Sequence, residues 1–154
     1  LLNKDYAQAK YEDIFQEKSP GRILKLLCDE TRTCYFENTG KGTFVKHALP
    51  LAAQFAPVNA IICDDLDNDG IKDLLLAGNE YQAEVMTGRY DASYGCFLRG
   101  TSSKTFAPVP PAASGFILNG EIKDLEMVRL ADGNRIILAA VNNDSMRVFK
   151  IKSR

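Results

Sequence analysis

Ala60-Ile61-Ile62-Cys63-Asp64-Asp65-Leu66-Asp67-Asn68-Asp69-Gly70-Ile71-Lys72-Asp73-Leu74-Leu75-Leu76-Ala77-Gly78-Asn79 sets an acidic segment between two short apolar runs. Asp65, Asp67 and Asp69 stand at alternate positions, Gly70 follows, and Asp73 closes the segment, so four carboxylates crowd into nine residues with only Lys72 to offset them. Such a cluster repels itself unless a cation sits inside it. All-oxygen donors select a hard divalent ion, and a flexible loop suits Ca2+ better than Mg2+, which keeps its waters. Alternation aims Asp65, Asp67 and Asp69 inward, turns Leu66 away and leaves Asn68 near solvent. Gly70 permits the positive φ of a sharp turn that brings the Ile71 carbonyl round, and Asp73 supplies one or two further oxygens. The expected metal ligands are therefore Asp65, Asp67, Asp69, Ile71 and Asp73; the competing reading is a solvated acidic loop.

An EF-hand loop opens in the same way, but its twelfth position needs a bidentate acid, where this chain has Leu76. It also needs flanking helices. Ala60 to Cys63 and Leu74 to Leu76 are too short for helices and suit buried strands, so the loop is expected to join two strands, with Cys63 in the core.

The 154 residues suffice for one domain with a core, and 19 Lys+Arg against 20 Asp+Glu leave the chain nearly neutral. No basic patch marks a nucleic-acid partner, and no apolar run of eighteen or more marks a membrane span. The chain opens at Leu1 with no signal peptide, as a mature or excised segment would. Four cysteines are too few for a disulfide scaffold; Cys28 and Cys34 flank a hairpin tip, where they form either a cross-strand bridge or free thiols packed as small hydrophobes.

Asn3 to Lys18 is read as the one helix, with Ala7, Tyr11, Ile14 and Phe15 on one face and Ser19-Pro20-Gly21 ending it. Strands follow. Arg22 to Cys28 and Thr33 to Glu37 are expected to pair as a hairpin, and Asn38-Thr39-Gly40-Lys41-Gly42 is a glycine-rich turn before Thr43-Phe44-Val45. Arg89 and Asp91 could pair to pin the turn before Cys96-Phe97-Leu98, and Pro108 to Pro111 reads as a rigid spacer. Glu126 to Leu130, Arg135 to Val141 and Arg147 to Ile151 form a meander with turn residues between them. His47, the only histidine, has no second ligating cluster near it and is read as a surface residue.

The halves also match at an offset of 62 residues: Cys34-Tyr35-Phe36 with Cys96-Phe97-Leu98, Phe44 with Phe106, and Asp73 to Ala77 with Arg135 to Ala139. The second copy places Leu130 and Ala131 in the acidic region and Arg135 in place of Asp73, so it is expected to bind no calcium. These features imply an all-β chain with one N-terminal helix and antiparallel sheet built from a repeated unit. Residues 1–20 form helix and linker and 21–154 the repeats, the first copy spanning about 22–94 and the degenerate second about 95–154.

The acidic loop between strands, the Asn38 to Phe44 turn and the repeat resemble the FG-GAP/VCBS repeats of β-propellers. Tyr6-Ala7-Gln8-Ala9, Asp13-Ile14-Phe15, Tyr35-Phe36-Glu37-Asn38, Ala53 to Asn59, Gly88 to Ser93 and Asn142-Asn143-Asp144 narrow this. They resemble the C-terminal part of bacterial VCBS repeat-containing proteins of the cartilage-acidic-protein and UnbV group. The resemblance implies a secreted or cell-surface setting, extracellular or periplasmic, and calcium-stabilised blades serving adhesion or glycan or protein binding. It also implies the five calcium ligands already named. Closed propellers have four to eight blades and this chain accounts for two to three, so a partial propeller is expected, with uncovered edges open to self-association. A non-catalytic role is the first expectation. The alternatives are an accessory part of a surface glycan-degrading enzyme, with Asp91 and Asp124 as candidate carboxylates, and a purely structural blade pair.

Overall fold

The computed structural model describes residues 3–14, 24 and 26–152. Chain contacts divide it into Leu1–Thr31 and Arg32–Arg154. In the first unit the expected single helix is two short ones, α1 (Asn3–Gln8) and α2 (Tyr11–Ile14), and Phe15 to Lys18 lie outside the described residues. The break has a local cause. Asp13 Oδ2 accepts the Lys10 backbone N–H at 2.9 Å, which makes Lys10 an N-cap and starts a new helix. Leu24 and residues 26–30 carry no strand, and Cys28 and Cys34 are free thiols, as are Cys63 and Cys96.

The second unit is three antiparallel sheets: β1 (Cys34–Asn38) with β2 (Phe44–Ala48); β3 (Val58–Asp64), β4 (Asp73–Gly78), β5 (Cys96–Gly100) and β6 (Phe106–Val109) in sequence order; and β7 (Ile122–Arg129), β8 (Arg135–Val141) and β9 (Arg147–Lys150). Of the expected hairpin of residues 22–28 with 33–37, residues 22, 23 and 25 lie outside the described residues, and β1 pairs instead with β2 across a glycine-rich turn. Gly40 and Gly42 take φ of 84° and 74° there, and Thr39 N–H and hydroxyl both reach the Thr43 carbonyl. The β5–β6 turn uses the same device: Thr101 N–H and hydroxyl reach the Thr105 carbonyl. Pro108 sits in β6, an edge strand, where its missing N–H costs no ladder bond, and Pro110 and Pro111 open a one-turn helix, α3 (Pro111–Ser114).

β4 organises the core. All six of its residues are buried because both faces are covered. Leu75 and Ala77 pack with Ala60, Ile62 and Leu66 against Leu118, Ile122, Leu125, Ile137 and Ala139 of the β7–β9 side; Leu74 and Leu76 pack with Leu98, Leu49 and Ala53 on the other. Each fully buried leucine contributes about 1.5–3 kcal/mol of transfer free energy. β3 is an edge strand, so Ala60 and Ile62 are buried while Ile61 and Cys63 face out. Cys63 is therefore not core, contrary to expectation: period-two alternation put it on the outer face. The β1–β2 hairpin docks through Tyr35, which meets Phe106 edge-on at 5.2 Å and donates its hydroxyl to the Lys104 carbonyl at 2.8 Å. Among the described residues no helix is long and apolar enough to cross a membrane.

Two buried polar residues stitch the sheets. Asn79, at φ 79°, donates to the Ser93 and Gly120 carbonyls at 2.8 and 2.9 Å and accepts the Ser93 N–H at 3.0 Å. Glu121 receives Lys123 Nζ on Oε1 and Asn142 Nδ2 on Oε2, each at 2.6 Å, and Lys123 first, then Asn142, hold its pKa down to about 2. A carboxyl with a depressed folded pKa stabilises above its ordinary value of 4.5 and loses that effect as pH falls toward 2. Glu121→Gln is expected to melt lower than the parent at neutral pH, and thermal melts from pH 7 downward should show the gap narrowing below pH 4.5.

Candidate metal centre

The acidic loop is the antiparallel β3–β4 connection, as its flanks imply. Its carboxylates divide by task. Asp73 starts β4 with no exposed surface, its Oδ2 accepting the Leu66 N–H at 3.0 Å and its Oδ1 the Gly100 N–H at 2.9 Å. One buried side chain thereby ties the loop's first turn to the end of β5. Burial pushes its pKa up, the two backbone bonds oppose that, and the charges of Asp67 and Asp69 add to the rise. Gly100 is obligatory at the junction: an added Cβ would lie 2.1 Å from the Lys72 carbonyl oxygen.

Asp65 holds the loop's far side, with Oδ1 on the Asp69 N–H at 3.0 Å and Oδ2 on the Gly70 N–H at 2.9 Å. Gly70 takes the expected positive φ, 87°, Leu66 is turned into the core, and Asn68 is exposed. Asp65, Asp67 and Asp73 each bring one carboxylate oxygen within 4.8 Å of the others. Asp69 is exposed and outside this triad; its Oδ1 accepts the Ile71 N–H at 2.8 Å, a local Asx-type closure that competes with an inward aim.

Cations from the loop itself, from β5 and from β8 offset its charge. Lys72 meets Asp64 at 2.6 Å and draws its pKa down, and Arg99 Nε lies 2.8 Å from Asp67 Oδ2. Arg135 donates through Nη1 to the Asp65 carbonyl at 2.6 Å and through Nη2 to Asn68 Oδ1 at 2.9 Å. Arg99 and Arg135 escaped sequence reasoning because they are brought in by distant strands. Asp67 Oδ1 nevertheless remains buried with no hydrogen-bond partner. An orphaned carboxylate oxygen beside two further carboxylates is a donor set that fits a hard divalent cation.

The other candidates lie apart. His47 stacks on Tyr35 at 4.8 Å with Nε2 3.3 Å from Glu37, making it a hairpin packing residue. Asp124 on β7 bonds the Leu125 N–H, and neither it nor Asp91 joins a cluster of three ligating groups among the described residues. Arg89 lies over the Tyr81 ring at 4.8 Å. No family model, curated protein or solved structure matches the chain.

Asp73→Asn tests the buried junction. An amide can accept only one of the two N–H bonds while its own NH2 confronts the other donor, so we expect a loss of ~1–3 kcal/mol in denaturant unfolding even in EDTA.

Proposed function

We propose that the chain is a non-catalytic, calcium-binding module of FG-GAP/VCBS type from a secreted or cell-surface protein, where it supports adhesion or the binding of a glycan or protein. The observation that carries the metal reading is Asp67 Oδ1, buried and unpartnered on a residue of the Asp65, Asp67 and Asp73 triad. Ion binding would join these oxygens, with Asp69 and the Ile71 carbonyl as the remaining ligands of the motif. Its chemical contribution is charge neutralisation that fixes an inter-strand turn, with no bond made or broken.

The propeller part of the reading is supported by the four-stranded meander β3–β6 and by correspondences at a 62-residue offset. β1 begins at Cys34 and β5 at Cys96, β2 at Phe44 and β6 at Phe106, β4 at Asp73 and β8 at Arg135, and the two Thr-clasped turns coincide in the same frame. On this reading β3–β6 is one blade, β1–β2 half of another and β7–β9 most of a third, with open edges available for self-association. The purely structural alternative is favoured by one observation: Asp65 and Asp73 each already hold two backbone N–H groups.

Adding Ca2+ to EDTA-treated protein decides between them. Binding at a hundredfold excess over Kd should stabilise by about 2.7 kcal/mol in thermal or urea melts, and Asp67→Ala should abolish the gain. Melting that ignores Ca2+ would remove the metal from the account.

A further inference from the structure

Where the β3–β4 loop meets the β7–β8 turn there is a cleft of about 230 Å3 lined by Asn68, Arg129, Gly133, Asn134, Arg135 and Ile151. Arg129 and Arg135 are direct register partners across β7 and β8. Cross-strand partners share a face, and like charges placed opposite one another are destabilising. Protein carboxylates do little to relieve this pair. Arg135 spends its hydrogen bonds on neutral oxygens, the Asp65 and Leu66 carbonyls and Asn68 Oδ1, and its contact with Asp64 Oδ2 is 3.9 Å. The Arg129 side chain is exposed and its guanidinium has no hydrogen bond or ion pair among the described residues.

The remaining wall groups are complementary. Asn68 gives its oxygen to Arg135, leaving its NH2 as a donor; Asn134 gives its NH2 to Asp132, leaving its oxygen as an acceptor. Ile151 adds an apolar wall. The volume is below the ~300–1,000 Å3 of pockets for drug-sized ligands, which limits the occupant to about one sugar unit. The carboxylates of Asp64 and Asp132 nearby disfavour a doubly charged phosphate over a singly charged carboxylate.

We propose that this cleft binds an acidic sugar, a uronate unit, with its carboxylate on the free guanidinium of Arg129 and its hydroxyls on the Asn68 and Asn134 amides. Arg135 is the positioning residue, fixed against the loop. The inference rests on the binding-module reading for its class of ligand and is independent of the ion.

The test is a titration of the full chain with sodium glucuronate, followed by amide NMR and calorimetry, in EDTA and again with Ca2+. Glucose, acetate, inorganic phosphate and a short polyglutamate peptide serve as the comparison probes. Glucuronate should shift the Asn68, Gly133 and Asn134 amides in both buffers, and Arg129→Gln should weaken it at least about tenfold, the loss of one charge-assisted bond. Arg129→Gln should melt at or above the parent temperature without ligand, since it removes a like-charge pair. Failure of the Ca2+ response with glucuronate binding intact would overturn the calcium reading alone. Unchanged binding in Arg129→Gln, no shift with glucuronate, or acetate, phosphate or peptide binding as tightly would overturn the proposal.

Discussion

The carboxylate of Asp73 is the constraint on which the rest depends. It is wholly buried, and its two oxygens join the Leu66 N–H at the loop's start to the Gly100 N–H at the end of β5. A charge in that position loses its hydration, and its raised pKa records the cost. The surrounding fold tolerates it because each of its oxygens accepts one backbone N–H and because Gly100 lets the backbone approach. β4 follows directly from this anchor, sending Leu74 and Leu76 to one core cluster and Leu75 and Ala77 to the other. The sheets on either side are thus packed against a strand whose first residue is the electrostatic centre of the loop.

That arrangement explains the distribution of cations. Lys72 and Arg99 answer Asp64 and Asp67 directly, whereas Arg135 crosses from the neighbouring sheet to bind the loop's backbone and Asn68. Arg135 therefore holds the acidic turn against the β7–β8 hairpin and also carries a charge that its neutral partners leave available. The loop and the arginine cleft meet at Asn68, which serves the first through its φ of 63° and the second through its amide.

Much of the strand framework was legible in the sequence because its apolar runs are bounded by turn residues: β4, and the β7–β9 meander around Asp132-Gly133-Asn134 and Asn142 to Asp144, where β7 starts four residues before the expected Glu126. The failures have physical causes. Ala60 to Cys63 is apolar throughout, which hid the alternation of an edge strand and the exposure of Cys63. The helix broke because the Asp13 side chain competes for a backbone N–H. Alternation also does not reveal that Asp69 Oδ1 closes locally on the Ile71 N–H. Arg99 and Arg135 are contributed by strands far along the chain, and Arg135 was read only as a lost Asp73.

Amide hydrogen exchange at Leu66 and Gly100, followed by NMR in EDTA and then with Ca2+, tests the central claim most directly. If Asp73 knots the loop to β5 and the ion completes the same knot, both amides exchange slowly in EDTA and more slowly still with Ca2+, while an exposed loop amide such as Met86 stays unchanged. Leu66 and Gly100 exchanging as fast as Met86, with no response to Ca2+, would contradict it.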